Sequence, residues 1–308
     1  MKILFMGTPD FARQNLEALC KAGHDVVGVV TAPDKPKGRG MVLTPSDVKK
    51  YALEAGLAVY EPATLKNEAF LDTLKELNPE LIVVVAYGKI LPEYVLSYPK
   101  HGCINNHASI LPKYRGAAPI QRAIIDGETE TGVSVMKMDA GLDTGDVILV
   151  KKVTIEENDT FETVHDKLAL AGSEALLEAV NQIENGTATY TKQPNGFTYA
   201  EKITKADCEI DFSKDARVVH NQIRGLSPIP LAFTRLPDGS ILKVVKSSYI
   251  NKEYSAENGE VVGLDGLVVV KCQSGAVALE VIIPQGKSKM NARDYINGRK
   301  IKLGDILG

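Results

Sequence analysis

Three runs of the sequence, KILFMG (2–7), VVGVVT (26–31) and LIVVVA (81–86), are apolar almost from end to end. A strand that shows one face to water alternates apolar and polar side chains. A run without alternation buries both faces, which requires a parallel sheet covered by helices on either side. Between the first two runs, Phe11, Leu16, Leu19 and Cys20 recur at helical spacing. The helix start is expected at Thr8 as N-cap, with Pro9 at the first helical position and Asp10 complementing the helix dipole. Residues 102–111, 131–138 and 146–155 read as further strands, and 160–186 as a long helix closed by Gly186. The expected fold class is α/β, with a doubly wound, mostly parallel Rossmann-like N-terminal domain.

The pattern changes near residue 187. TATYTKQPNGFTYAEKITKAD (187–207) is polar, contains Pro194 and the turn pair Asn195–Gly196, and reads as a surface linker. Beyond it, a short helix near 214–225 precedes five or six short β-rich runs. Turns at Asp238–Gly239, Asn258–Gly259, Asp265–Gly266 and Ser274–Gly275 separate them, the pattern of a small antiparallel β-barrel, OB-like. A chain of 308 residues is long for one core. The expected domains are therefore 1–188, a linker 189–206, and a C-terminal domain 207–308. The net charge is −3, yet from Lys205 onward 15 Lys+Arg stand against 12 Asp+Glu. That excess is compatible with a polyanionic partner but is within ordinary variation.

Several classes are excluded. The first β–α turn is GTPDF, without the glycine-rich dinucleotide fingerprint, and neither GxxxxGK[ST] nor GxSxG occurs. No metal site is expected, because the four cysteines are dispersed, without CxxC and without a histidine at ligand spacing. Ordinary buried thiols in a reducing cytoplasm are expected instead. The N-terminal apolar stretch ILFM is too short for a signal peptide, and no run approaches the roughly 20 residues of a membrane span.

The run INNHASILP (104–112) is unusual for a strand. Strands disfavour Asn, and a buried polar group without partners costs about 1–3 kcal/mol. Alternation places Asn105, His107 and Ser109 on one face and Asn106 on the other. An amide beside an imidazole offers a donor for a developing oxyanion and a general acid or base. The position, at the carboxyl end of a strand in an open α/β sheet, is where ligands bind. A lone histidine on a strand is more often structural, and the residues alone leave that choice open. The loop MDAGLDTGD (138–146) carries three carboxylates, one of which could orient the ring; a plain turn is the alternative.

The long motif NxHxSxLPKYRGAAPIQ, followed by ETGVSVMKMDAGLDTGD, resembles the 10-formyltetrahydrofolate-dependent formyltransferases. MGTPDFA, TAPDKPKGRG and RGAAPIQRAI, with the C-terminal barrel, narrow the resemblance to the tRNA-formylating branch of that family, over essentially the whole chain. The resemblance implies a catalytic trio of Asn105, His107 and Asp143. It implies folate binding by Ser109, Ile110, Leu111 and Pro112, with Tyr87 and Ile90 of AYGKILP at the pteridine ring. It assigns the exposed loop 31–45, with Lys35, Lys37 and Arg39, to the tRNA acceptor end. Lys287, Lys289 and Arg293 of the barrel, with Arg299, Lys300 and Lys302, fit phosphate contacts.

The implied reaction is transfer of the formyl group of 10-formyltetrahydrofolate, a co-substrate rather than a prosthetic group, to the α-amine of methionine on initiator tRNA. A cytoplasmic monomer without membrane attachment is expected. The rivals are a formyltransferase acting on a sugar-nucleotide amine, a formyl-folate hydrolase, and a non-catalytic tRNA-binding module. Three positions depart from the family pattern: Asn106 where an aliphatic residue is usual, and Leu231 and Phe233 in RGLSPIPLAF. Asn106 is expected to be hydrogen-bonded away from the site.

Overall fold

The computed structural model describes residues 1–37 and 41–308. The chain divides into two compact units. The first comprises Met1–Gly116, Thr131–Thr154 and His165–Tyr199. Its seven-stranded sheet is built from β1 (Lys2–Gly7), β2 (Asp25–Val30), β3 (Val59–Tyr60), β4 (Leu81–Val85), β5 (Cys103–His107), β6 (Glu130–Lys137) and β7 (Val147–Thr154). The order across the sheet is β7-β6-β5-β4-β1-β2-β3. β1 to β5 pair in parallel, and β6 joins β5 antiparallel.

The three apolar runs lie where their composition requires. β1 and β4 are neighbours, with Ile3 opposite Leu81 and Phe5 opposite Val83, and from Ile3 to Met6 and Leu81 to Val85 every residue is buried. Leu4, Met6, Val30, Ile82 and Val84 pack on one side against Phe70, Leu74 and Val95. The helix Asp10–Lys21 buries Phe11, Leu16 and Leu19, while Cys20 is half-buried. Its start differs from the expectation by one residue. Pro9 occupies the N-cap position, its carbonyl accepting from the Ala12 and Arg13 amides, and the Thr8 hydroxyl reaches the Tyr87 carbonyl instead. The ring of Pro9 suits the extended backbone of a cap as well as the first helical turn, so the sequence signal is ambiguous by one position.

The second unit comprises Ala117–Glu130, Ile155–Val164 and Ala200–Gly308. It contains a curled antiparallel sheet of β8 (Ala232–Arg235), β9 (Ile241–Ile250), β10 (Val261–Gly263), β11 (Val268–Lys271), β12 (Ala276–Pro284) and β13 (Met290–Asn291). The order is β8-β9-β12-β11-β10, with β13 on β12. The helix Ala216–Gly225, capped by the Asp215 carboxylate on the Arg217 amide, lays Val219 and Ile223 into the core. Leu231 and Phe233, two of the three departures from the family pattern, are both buried. Two pieces that precede residue 188 also fold here. The helix Pro119–Ile125 packs on Ala216–Gly225, and buried Arg224 donates to the carbonyls of Glu156 and Asp159. No helix among the described residues is long and apolar enough to cross a membrane.

Candidate active site

β5 carries the unusual run, and its alternation separates the two asparagines. Val84 lies opposite Asn105 on one side, while Val135 and Ser134 lie opposite Asn106 and His107 on the other. Asn106 is 2% exposed, and its amide nitrogen donates to Asn15 Oδ1 at 2.7 Å and the Gly172 carbonyl at 2.9 Å. The expected hydrogen bonding is there, and it belongs to the interior of the unit. The shared face of the strand ends at His107. Ser109 sits in the following turn, where its hydroxyl donates to the Lys113 carbonyl at 2.7 Å. Alternation holds only while the backbone stays extended, so it does not carry Ser109 onto the face of Asn105 and His107.

His107 is 7% exposed and lies between two oxygens. Its Nε2 is 2.9 Å from the Tyr114 carbonyl, and its Nδ1 is 3.7 Å from Asp143 Oδ2. The contact to the Tyr114 carbonyl is within hydrogen-bond range, whereas 3.7 Å to the carboxylate is longer than a hydrogen bond. The amide of Asn105, two residues away and half-buried, makes no hydrogen bond to the protein among the described residues.

The loop between β6 and β7 gives its three carboxylates different positions. Asp139 builds the loop, accepting from the Gly141 amide and the Thr144 hydroxyl. Asp146 is exposed. Asp143 alone turns inward, 11% exposed at its side chain, and its Oδ2 also accepts from the Gly116 amide at 2.7 Å. Its backbone is left-handed, φ +53°, a conformation that Asp tolerates better than most residues. Gly145 keeps the loop close to β6. A Cβ there would lie 1.7 Å from the Lys137 carbonyl.

Two further side chains hold this arrangement, and neither was singled out by its type. Gln193 donates from Nε2 to the carbonyls of Asp143 (2.9 Å) and Gly145 (2.8 Å). Its Oε1 accepts from Arg115 Nη2 at 2.7 Å and Nε at 3.2 Å. The Arg115 guanidinium stacks on Phe197, 4.8 Å from the ring centre. Gln193 lies within the polar stretch read as a linker. There, Thr191 bridges Val147, and Thr198 receives the Arg115 amide on its carbonyl and the Tyr114 amide on its hydroxyl.

The positions assigned to folate follow β4 and β5. Leu111 is buried, and its amide donates to Ser134 Oγ, which in turn donates to the Ser109 carbonyl. Ile110 and Pro112 are half-buried. Tyr87 is buried, which pushes its hydroxyl up to about 12, whereas Ile90 is 91% exposed. Lys35 is exposed in a hairpin of Lys35–Lys37 with Val42–Thr44, which also exposes Met41, Val42 and Leu43. Lys37 lies in that first strand; Arg39 lies outside the described residues. Lys287, Lys289, Arg293, Arg299, Lys300 and Lys302 are all exposed on the second unit.

Strand β5 ends in an amide without a hydrogen bond among the described residues and an imidazole 3.7 Å from a carboxylate, on a sheet whose first β–α turn lacks a nucleotide-binding loop. Residues 1–180 match the model of the formyl transferase family and residues 202–300 that of its C-terminal domain, and the chain belongs to this family. Within it, the branch is that of the methionyl-tRNA formyltransferases. The protein of that name from Caldanaerobacter subterraneus subsp. tengcongensis is 48% identical over 100% of both chains. The one from Clostridioides difficile is 45% identical, again over 100% of both. Among solved structures, the N-formyltransferase of Helicobacter canadensis in complex with folinic acid and dTDP-3-aminofucose has a TM-score of 0.66 at 23% identity. That match covers 91% of this chain and 98% of the other, and it establishes the likeness of fold.

Proposed function

We propose that the chain transfers the formyl group of 10-formyltetrahydrofolate to the α-amine of methionine esterified to initiator tRNA, by direct attack of the amine. The observation that carries the reading is the His107 ring held between the Tyr114 carbonyl and the Asp143 carboxylate, two residues from an Asn105 amide with no hydrogen-bond partner among the described residues. Formyl-folate supplies an activated formyl carbonyl. Asn105 and the His107 imidazolium stabilise the negative charge that develops on the formyl oxygen, and the water-poor surroundings strengthen both contacts. Asp143 turns His107 toward the site and helps relay the proton that leaves the amine to N10 of the departing tetrahydrofolate, as the bond from the formyl carbon to N10 breaks. An α-amine with an ordinary pKa near ~7.7–8.0 is partly neutral at cellular pH, so positioning carries much of the rate.

The backbone of Ser109, Ile110, Leu111 and Pro112 lines the folate. The exposure of Ile90 beside Tyr87 suits an apolar seat for the planar pteridine. Lys35, Lys37 and Arg39 engage the acceptor end, and Lys287, Lys289 and Arg293 meet phosphates. On this reading residues 1–188 carry the chemistry, 189–206 the connection and 207–308 the RNA, in a cytoplasmic monomer.

Radiolabelled formyl transfer to initiator and elongator methionyl-tRNA, with an amino-sugar nucleotide as a third acceptor, tests the reading. Transfer to initiator tRNA well above the other two supports it. Preference for the sugar nucleotide, hydrolysis without transfer, or no reaction overturns it.

A further inference from the structure

Two residues that face His107 have left-handed backbone, Tyr114 at φ +60° and Asp143 at φ +53°, and each gives up conformational energy that surrounding contacts must offset. The Asp143 carboxylate is held from one side by the Gly116 amide. The carbonyl side of the turn is held by a single side chain. The geometry points to Gln193 as the positioning residue for Asp143, and through Asp143 for His107. This inference rests on the catalytic reading given above.

Every hydrogen-bonding capacity of the Gln193 amide is used. Nε2 bridges the Asp143 and Gly145 carbonyls, which bracket Thr144, and so clamps the turn at its two ends. Oε1 takes two donors from Arg115, which fixes which end of the amide is which: only the nitrogen is left to face the two carbonyls. Arg115 is itself 7% exposed and stacked on Phe197, so the clamp is anchored on a side chain with little freedom. The amide is also the only common side-chain group that fits. A carboxylate at this position would keep the Arg115 contact but turn an oxygen toward two carbonyl oxygens. An asparagine is one methylene short of the span. The hydrogen bonds of the Gln193 side chain go to Arg115, Asp143 and Gly145 and not to the His107 ring or the Asn105 amide, so its influence on chemistry passes through the Asp143 turn.

The experiment is a double-mutant cycle on the full chain, read as kcat and KM for formyl transfer from 10-formyltetrahydrofolate to methionyl-tRNA. Gln193→Ala and Gln193→Glu are each expected to lower kcat about 10- to 100-fold, with KM for both substrates within about twofold of wild type. In an Asp143→Asn background, the same Gln193→Ala change is expected to cost less than about twofold, because the carboxylate it serves is gone. Thermal unfolding of each variant checks that it is folded under the assay conditions. An equal loss from Gln193→Ala in both backgrounds, or a rise in KM alone, assigns Gln193 a general structural role and overturns the inference. Wild-type activity in Gln193→Ala overturns it too and leaves the role of Asp143 standing. Wild-type activity in Asp143→Asn removes the catalytic reading itself.

Discussion

The backbone amide of Gly116 donates to Asp143 Oδ2 at 2.7 Å across 27 residues of sequence, and the two residues before it make the companion contacts. The Tyr114 carbonyl faces His107 Nε2, and the Arg115 guanidinium holds the amide that grips the Asp143 turn. One tripeptide therefore touches the imidazole, the carboxylate and the residue that positions the carboxylate. The His107–Asp143 pair is set by backbone and buried side chains more than by its own attraction across 3.7 Å.

Asn105→Ala and His107→Ala are each expected to lower kcat by about 10²-fold or more, as loss of an oxyanion donor does elsewhere. The Asn105 side chain makes no hydrogen bond among the described residues, so Asn105→Ala should leave the unfolding temperature within a few degrees of wild type. Steady-state kinetics and thermal denaturation, run on the same preparation, check both halves of the expectation. Full turnover in either variant contradicts the assigned roles.

Gly145→Ala should act on the loop without touching the chemistry directly. The added methyl has no room against the Lys137 carbonyl, so the turn that carries Asp143 must move. A fall in kcat of about tenfold or more is expected, with the secondary-structure spectrum retained. A variant with unchanged kcat would show that the loop position is not critical.

Asn106→Ala should do the reverse. It deletes two buried donors and leaves Asn15 Oδ1 without that partner, at a cost of about 1–3 kcal/mol. Urea unfolding should show the lower midpoint while kcat stays within about twofold of wild type. A large catalytic loss in a folded Asn106→Ala protein would contradict its separation from the site.

Acid sensitivity in the second unit has an identified source. The Arg122 guanidinium, bonded to Asp207 at 2.9 Å, draws that carboxyl down from 3.8 to about 2. A folded-state value below the unfolded one means that the stabilisation is complete above about pH 4 and disappears as pH falls through about 2. Arg122→Ala should cost on the order of 1 kcal/mol near neutrality, allowing for solvent screening of a partly exposed pair. The gap between the wild-type and variant urea midpoints should narrow steadily below pH 4. A gap independent of pH would mean that packing, not charge, accounts for the loss.

Legibility in the sequence followed the range of the interactions involved. The runs at 2–7 and 81–86 announced buried parallel strands because burial on both faces leaves a compositional trace in the strand itself. Alternation along β5 likewise separated Asn106 from Asn105 and His107. Asp143 could not be chosen from Asp139 and Asp146 by spacing; the family resemblance chose it, because the turn geometry that aims it depends on Gly116 and Gln193. Gln193 itself left no trace. Its partners lie 50 and 78 residues away, and a glutamine before a proline in a polar stretch has the look of any loop. The folding of Pro119–Ile125 with the second unit was hidden in the same way, since the segment directly follows the catalytic run in sequence.

Because Tyr114, Arg115 and Gly116 are consecutive, their three contacts share one backbone register. A slip of a single residue would misplace all of them together, so the constellation has no stable half-built form. The Gly116 amide proton is then a gauge of the whole assembly. Its exchange with solvent requires the Asp143 contact to open, and it should slow or quicken in step with any change that tightens or loosens the turn, well before a difference appears in the global melt.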